Sequence, residues 1–256
     1  MRTIEFLRGM WHLIQPFIYC RGRKFIRLPK LYINYLRQWR HFAVMGGRAD
    51  FDELAPCLFD RDPSSQSGGE RHYFYQDIWA LKKLAALKPD RHNDVGSRLD
   101  GFTGQATAIC PVIYWDIRSP GFNLPNFEFR KGDILDLALA DKSVYSLSCL
   151  HVAEHVGLGR YGDSLDPDGT SKALRELMRI LAKGGQLLLS MPIGRERVCF
   201  NAQRIWHPQK PVDVLDELRL LEFAAVSDGG DFMQGVSPSD FVDANYSCGL
   251  YCFTRD

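Results

Sequence analysis

The sequence predicts an α/β protein: a doubly wound, mostly parallel sheet of seven strands behind an N-terminal helical extension. Three observations carry this expectation. Short apolar runs alternate with amphipathic stretches from about Tyr75 onward, the pattern of successive βαβ units. The ends of the first four runs carry Gly96, Asp116, Asp133 and His151, residue types suited to the edge where such a sheet places a ligand. Residues 1 to 45 hold nine Lys/Arg against the single acid Glu5, a net of +8, whereas the whole 256-residue chain sums to only +1.

Within residues 1–45, Leu28, Leu31, Tyr32, Tyr35, Leu36, Trp39 and Phe42 fall at i, i+3, i+4, i+7 spacing, with Lys30, Asn34, Arg37 and His41 on the other side. That spacing predicts an amphipathic helix with Pro29 in its first turn, where the missing N–H costs nothing. Ile4, Leu7, Trp11, Ile14 and Ile18 predict a second helix upstream, joined through the basic turn Arg21-Gly22-Arg23-Lys24. Such a pair either lies on an anionic membrane with its aromatic stripe inserted, or covers its own domain, the commoner role of an amphipathic helix. A linker over residues 46–74 follows, beginning at Gly46-Gly47 and including the turn-rich segment Pro63 to Gly69, and residues 75–256 form the main domain.

Tyr75 to Leu87 predicts a helix that stops at Lys88-Pro89. A polar run, Asp90-Arg91-His92-Asn93, leads into Asp94-Val95-Gly96, followed by a helical stretch near Phe102 to Ile109, a strand Val112 to Trp115 ending at Asp116, and a short strand Phe127 to Phe129 ahead of Gly132-Asp133-Ile134. Val144 to Leu150 predicts a strand. Ser171 to Ala182 predicts a helix with Leu174, Leu177, Met178 and Leu181 on one face and Gly184-Gly185 as its C-cap. Gln186 to Met191 reads as a buried strand, and Leu221 to Val226 with Leu250 to Thr254 as an antiparallel pair at the sheet edge.

A net charge near zero argues against a nucleic-acid partner. The seven cysteines are odd in number and scattered, with no Cys-x-x-Cys pair and no His nearby at zinc spacing, which points to a reducing, cytoplasmic compartment and to no metal. Arg8, His12 and Gln15 interrupt the first apolar stretch before it reaches signal-peptide length, and no run approaches the roughly 18 apolar residues of a membrane span.

In a doubly wound sheet a nucleoside cofactor sits beyond the carboxyl ends of the strands. Glycine permits close backbone approach, and an acid about 20 residues on accepts the ribose hydroxyls. Here Asp94-Val95-Gly96 opens the first turn, and Asp116 ends the next strand 20 positions after Gly96. Asp133 follows the third strand, where a side-chain acceptor meets an adenine amine, and Leu150-His151 closes the fourth. The ordered motifs D-V-G-S-R-L-D-G, Y-W-D-I-R, K-G-D-I-L, L-H-V-A-E-H and L-A-K-G-G-Q-L-L-L-S-M-P, over residues 90 to 256, resemble the class I S-adenosylmethionine-dependent methyltransferases. G-L-G-R-Y-G-D (Gly157 to Asp163), with D-V-G-S-R and F-N-A-Q-R, resembles more narrowly the methyltransferase-like domain of unknown function 268. The resemblance implies S-adenosylmethionine as cofactor, held by Asp94, Gly96, Ser97, Arg98, Asp116, Asp133, Ile134 and Leu150. It also implies a saccharide or lipid-linked saccharide acceptor in bacterial surface-polysaccharide biosynthesis. The chain departs from the usual D-x-G-x-G-x-G at Arg98 and Asp100, which stand where the second and third glycines belong. An Arg there either closes the pocket or turns outward to meet the cofactor carboxylate.

Methyl transfer from a sulfonium is an in-line displacement, so the protein supplies alignment, and a base is needed only for a hydroxyl acceptor. His151 and His155 are the base candidates, with a structural loop cap as the alternative for His155. In the loop Gly157 to Gly169, Arg160, Tyr161 and Asp163 are candidates to hold a sugar or phosphate, against an Arg160–Asp163 pair that merely fixes the loop. After the fifth strand, Asn201 and Arg204 are substrate candidates, Arg204 offering either a fork for an acidic acceptor or a surface ion pair. Asp163, Asp166 and Asp168 lack the spacing of a calcium loop. The functional expectation is an O-methyltransferase acting on a saccharide. Its rival is a catalytically silent methyltransferase fold that binds or scaffolds beside glycan enzymes.

Overall fold

A computed structural model describes residues 23–47 and 71–256. The upstream helix expected over Ile4 to Ile18, the segment Pro63 to Gly69, and Cys20 and Cys57 lie outside the described residues. In chain order the elements are α1 (Arg23–Val44), α2 (Arg71–Leu87), β1 (His92–Val95), β2 (Val112–Asp116), β3 (Phe127–Lys131), β4 (Val144–Leu150), α3 (Gly169–Ile180), β5 (Leu181–Ile193), β6 (Arg197–Cys199), β7 (Gln203–Ile205), β8 (Arg219–Val226), β9 (Phe232–Met233) and β10 (Ser247–Thr254). They divide into two compact units, one containing residues 71–153, 171–195 and 206–256, the other containing residues 23–47, 154–170 and 196–205. The expected boundaries set 1–45, 46–74 and 75–256 apart. Here two segments expected inside the main domain group with the helical extension instead.

The larger unit carries an eight-stranded sheet in the order β3-β2-β1-β4-β5-β10-β8-β9. Strands β1 to β5 pair in parallel, while β10 lies antiparallel between β5 and β8. The eighth strand, beyond the seven expected, is the two-residue β9 on the edge of β8. Strand order reverses between β1 and β4, the switch point where loops diverge and leave a crevice at the carboxyl ends. On the sheet pack Trp79, Ala80 and Leu84 of α2, with Phe102, Ala106, Val112, Leu150, Leu188, Ala224 and Leu250 in the same cluster.

Helix α3 buries Ala173, Leu174, Leu177 and Ile180; of the expected face Leu174 and Leu177 are buried on it, Met178 is half-buried and Leu181 falls in β5. It stops at Ile180 rather than near Ala182, and Gly184-Gly185 falls inside β5. Gly184, at φ +71, donates its N–H to the Arg255 carbonyl at 2.8 Å, and the β4–β5 register shifts between Val144 and Ser146. The glycine pair therefore makes a strand irregularity where a helix cap was expected.

In the smaller unit α1 begins at Arg23, so Pro29 lies within the helix instead of in its first turn, and the helix runs through at the loss of the one hydrogen bond that Pro29 cannot donate. Tyr35 and Phe42 are buried with Leu158 and Phe200, flanked by Leu36, Trp39, Leu165 and Val198, and the Tyr35 hydroxyl donates to the Phe200 carbonyl. The aromatic stripe that could have entered a membrane is covered by the chain's own residues. Among the described residues no helix is long and apolar enough to cross a membrane.

Deleting the Phe42 ring should cost this cluster about 3–5 kcal/mol, the usual loss for a buried Phe→Ala change. Urea unfolding of Phe42→Ala checks it; an unchanged midpoint would show that the packing of Phe42 adds nothing to stability.

Candidate functional site

The first strand is unusually polar because it is matched by a polar neighbour. His92, Asn93 and Asp94 are all buried, and β1 pairs with β4 through Asn93–Leu147 and Asp94–Ser148. The Asp94 carboxylate accepts from the Ser148 hydroxyl, from Ser97 N–H at 3.1 Å and from the Thr103 hydroxyl at 3.3 Å. Because Ser148 donates to Asp94, His92 Nε2 must donate to Ser148 Oγ (2.8 Å), which leaves Nδ1 to accept from the Ser146 hydroxyl (2.7 Å). The Trp115 indole N–H donates to Asn93 Oδ1 at 3.0 Å. Asp94, expected to hold cofactor, thus acts on the chain itself: it clamps the turn that follows β1.

That turn contains Gly96 at φ +73, with N–H bonded to the Trp115 carbonyl at 2.9 Å. A Cβ at Gly96 would fall 2.9 Å from Val152 Cγ1, so both conformation and space demand glycine. Ser97 is buried and accepts the Leu150 N–H at 3.0 Å, tying the turn to the end of β4. Arg98 turns outward, its side chain 49% exposed. It forms a two-point pair with Asp100 at 3.0 and 2.8 Å and lies 4.6 Å over the Tyr73 ring. The two residues that break the glycine motif are each other's partners.

Asp116 ends β2 almost fully buried. Its carboxylate accepts from the Tyr114 hydroxyl at 2.8 Å and the Arg118 N–H at 2.8 Å, with the Arg118 guanidinium at 3.3 and 3.4 Å. Asp133, past β3, is exposed and caps its own turn by accepting Leu135 N–H at 2.9 Å, with Ile134 half-buried beside it. Leu150 is buried in the core at the end of β4.

His151 stands just beyond β4 at φ +54, a left-handed conformation uncommon outside glycine. Its N–H reaches both Ser190 O and Oγ, at 3.0 and 3.1 Å, and Ser190 Oγ in turn donates to Gln76 Oε1. The imidazole stacks on His72 (5.7 Å, 7° between planes), leans on Tyr73 (5.0 Å), and brings Nε2 to 3.3 Å from Cys248 Sγ. His72 also stacks on Tyr246 at 5.1 Å. Sequence reasoning missed His72, Tyr73, Gln76, Ser190 and Cys248. The run His72-Tyr73-Phe74-Tyr75-Gln76 at a helix start was the available signal.

The smaller unit holds the remaining candidates. His155 Nδ1 donates to the Ala202 carbonyl at 2.6 Å, which fits its alternative reading as a loop anchor. Asp163 accepts from Gly157, Gly159 and Tyr161 N–H at 2.7, 3.3 and 3.2 Å, so it fixes the loop through backbone amides rather than through Arg160. Arg160 donates to the Ala202 carbonyl at 3.0 Å and covers the exposed Tyr161 ring. Arg204 is only 3% exposed and donates to the carbonyls of Val156, Asp166 and Pro167 and to the Thr170 hydroxyl. It is neither the acidic-acceptor fork nor the surface ion pair expected. It is an internal strut, and burial brings its guanidinium down to about 10, still charged at neutral pH. Asn201 keeps a buried Oδ1 with no hydrogen-bond partner among the described residues.

Burial pushes Asp94 up to about 6 and His92 down to about 3. Unfolded values lie near 3.9 and 6.5. Between about pH 4 and 6 the folded pair holds its proton on Asp94 and the unfolded pair holds one on the histidine, so the pair adds no slope to stability. His92→Gln leaves Asp94 alone: the folded state then binds the extra proton, and stability falls as pH rises from about 4 to 6. Asp94→Asn leaves His92 alone: the unfolded state binds the extra proton, and stability falls as pH drops from about 6.5 toward 3. Urea titrations of both variants across this range check the opposed slopes; slopes of one sign would refute the pairing.

Similarity to known proteins agrees with this layout. The family described as "Caenorhabditis protein of unknown function, DUF268" matches residues 140–214. No curated protein matches the sequence. Among solved structures, the N-methyltransferase NodS from Bradyrhizobium japonicum in complex with S-adenosyl-L-homocysteine is 16% identical, with 86% of this chain and 97% of that one covered and a TM-score of 0.50. A second NodS structure is 15% identical over 73% of this chain and 99% of that one, TM-score 0.52. A putative sarcosine dimethylglycine methyltransferase from Galdieria sulphuraria is 12% identical over 70% and 85%, TM-score 0.51. With its strand order and antiparallel β10, the chain has the class I methyltransferase fold, and within it residues 140–214 match the DUF268 family.

Proposed function

We propose that this protein is an S-adenosylmethionine-dependent methyltransferase that binds its cofactor at the carboxyl ends of β1 to β3. The observation that carries the reading is Asp116. It ends β2, beside β1, 20 positions after the Gly96 turn, where a carboxylate is suited to a ribose diol. The Arg118 guanidinium now beside it is 59% exposed and at long hydrogen-bond distances, so hydroxyl donors can replace it. The outward turn of Arg98 onto Asp100 and Tyr73 supports an open crevice beside Gly96. NodS, on the same fold, was solved with S-adenosyl-L-homocysteine.

When bound, the cofactor supplies an electrophilic methyl group on sulfur. This chain's residues bind and orient: the Gly96–Arg98 backbone approaches the cofactor, Asp116 accepts its hydroxyls, and Asp133 and Ile134 take the adenine side. Asp94 and Ser97 hold the turn in place for that task. His151 is the proton acceptor for a hydroxyl of the substrate. The rings of His72, Tyr73 and Tyr246 around it give flat apolar faces of the sort a saccharide packs on. A saccharide acceptor accords with these faces.

Calorimetric titration with S-adenosylhomocysteine tests the reading. Wild type should bind, and Asp116→Ala should weaken binding by at least about 2 kcal/mol, roughly 30-fold, through loss of charge-assisted hydrogen bonds. Binding indifferent to this substitution would displace the site. No binding by wild type would favour the silent scaffold.

A further inference from the structure

His72 comes from the first turn of α2, His151 from the residue after β4, and Cys248 from the start of β10. These three are far apart in sequence, which is why cysteine spacing gave no hint of them. In the larger unit their ligand atoms all lie within 4.8 Å of one another. His151 Nε2 and Cys248 Sγ are already at 3.3 Å. Tetrahedral zinc, with bonds of about 2.0–2.1 Å to nitrogen and 2.3 Å to sulfur, sets ligand atoms roughly 3.3–3.7 Å apart. One edge of that tetrahedron is in place, and the others need to close by about 1.5 Å at most.

We propose that His72, His151 and Cys248 form a binding site for a zinc-like transition-metal ion with one position left open. Two imidazoles and a thiolate suit zinc and its neighbours and do not suit magnesium or calcium, which take oxygen. Three protein ligands are the number found where a metal keeps a place for water or substrate. The surroundings hold the ligands in position. The left-handed backbone of His151 is fixed by its N–H bonds to Ser190, and Ser190 is fixed by Gln76. His72 stacks on Tyr246, whose N–H donates to Asp228 at 2.8 Å, and Asp228 also accepts from Asn245 N–H and the Ser247 hydroxyl at the head of β10. Cys248 is fully buried and His151 8% exposed, whereas His72 is half-buried, so the open position lies on the His72 side.

Binding requires the Cys248 thiol to lose its proton to solvent and both imidazoles to be neutral. In the loaded protein His151 is a ligand and not a base. An oxygen of water or of a substrate hydroxyl in the open position then gives up its proton to solvent more readily, because the ion lowers its pKa. The metal site shares His151 with the proposed acceptor pocket but none of the residues that hold the cofactor, so its failure would leave the cofactor reading intact and His151 as the base.

The test uses untagged full-length protein stripped with a chelator and dialysed. Zinc titrated calorimetrically should bind once per chain at this cluster, and cobalt(II) in its place should give the visible bands of a tetrahedral ion with a thiolate-to-metal charge-transfer band. Cys248→Ser should abolish the charge-transfer band. His72→Ala, at a half-buried position in the first turn of α2, should weaken zinc by at least about 100-fold, since even residues supporting metal ligands are worth 10- to 100-fold. Cys252→Ser, on the same strand outside the cluster, should leave both signals unchanged. Wild type that binds no ion, or binding equally tight in His72→Ala and Cys248→Ser, would overturn the proposal and leave a hydrogen-bonded His151–Cys248 pair.

Discussion

The crevice of this fold depends on a buried carboxylate. Asp94 sits in the middle of the sheet, fully buried, and an ionised group there survives only if its oxygens are satisfied. Ser148, Ser97 and Thr103 supply the donors. In doing so they join β4, the turn after β1 and the following helical turn to a single point. An apolar residue at 94 would leave three donors unmatched and the turn unheld. The polarity of β1 is thus the means by which the switch point between β1 and β4 keeps its shape. His92 extends the same chain of bonds to Ser146, and burial keeps it neutral at physiological pH.

Much of the sheet was legible in the sequence because each strand is bounded by a glycine, an acid or a turn, and because α3 has a clean apolar stripe. The two late strands were found, and their antiparallel pairing too. Their place was not, because β10 enters between β5 and β8, and strand order depends on long-range pairing that no local pattern encodes. Gly184-Gly185 misled for a related reason: the conformation that caps a helix also breaks a strand, and only pairing with the Val144–Leu150 strand decides between them.

The site was legible along strands and illegible across them. Gly96 and Asp116 could be placed by spacing alone, since a β-α-β connection of this kind sets its acid about 20 residues beyond the glycine turn. His72 and Cys248 could not, because they reach His151 from a covering helix and an inserted strand. Arg204 shows the opposite error. A guanidinium near a sequence motif suggested an anion, yet the smaller unit needs that cation for the carbonyls of Val156, Asp166 and Pro167, which its glycine-rich loop leaves without strand partners. Gly157 belongs to the same economy of space, since a Cβ there would meet the Asp166 carbonyl oxygen at 2.1 Å.

The insertion of β10 has a consequence for the nascent chain. A ribosome delivers β5 and β8 well before residues 247–254, yet β8 joins the sheet only through β10. During that interval one edge of β5 stays unpaired. It is a long strand whose later half is buried in the finished protein, and such an open apolar edge invites pairing with another chain. Because Cys248 travels on the late strand, the environment of His151 also waits for β10 to join β5.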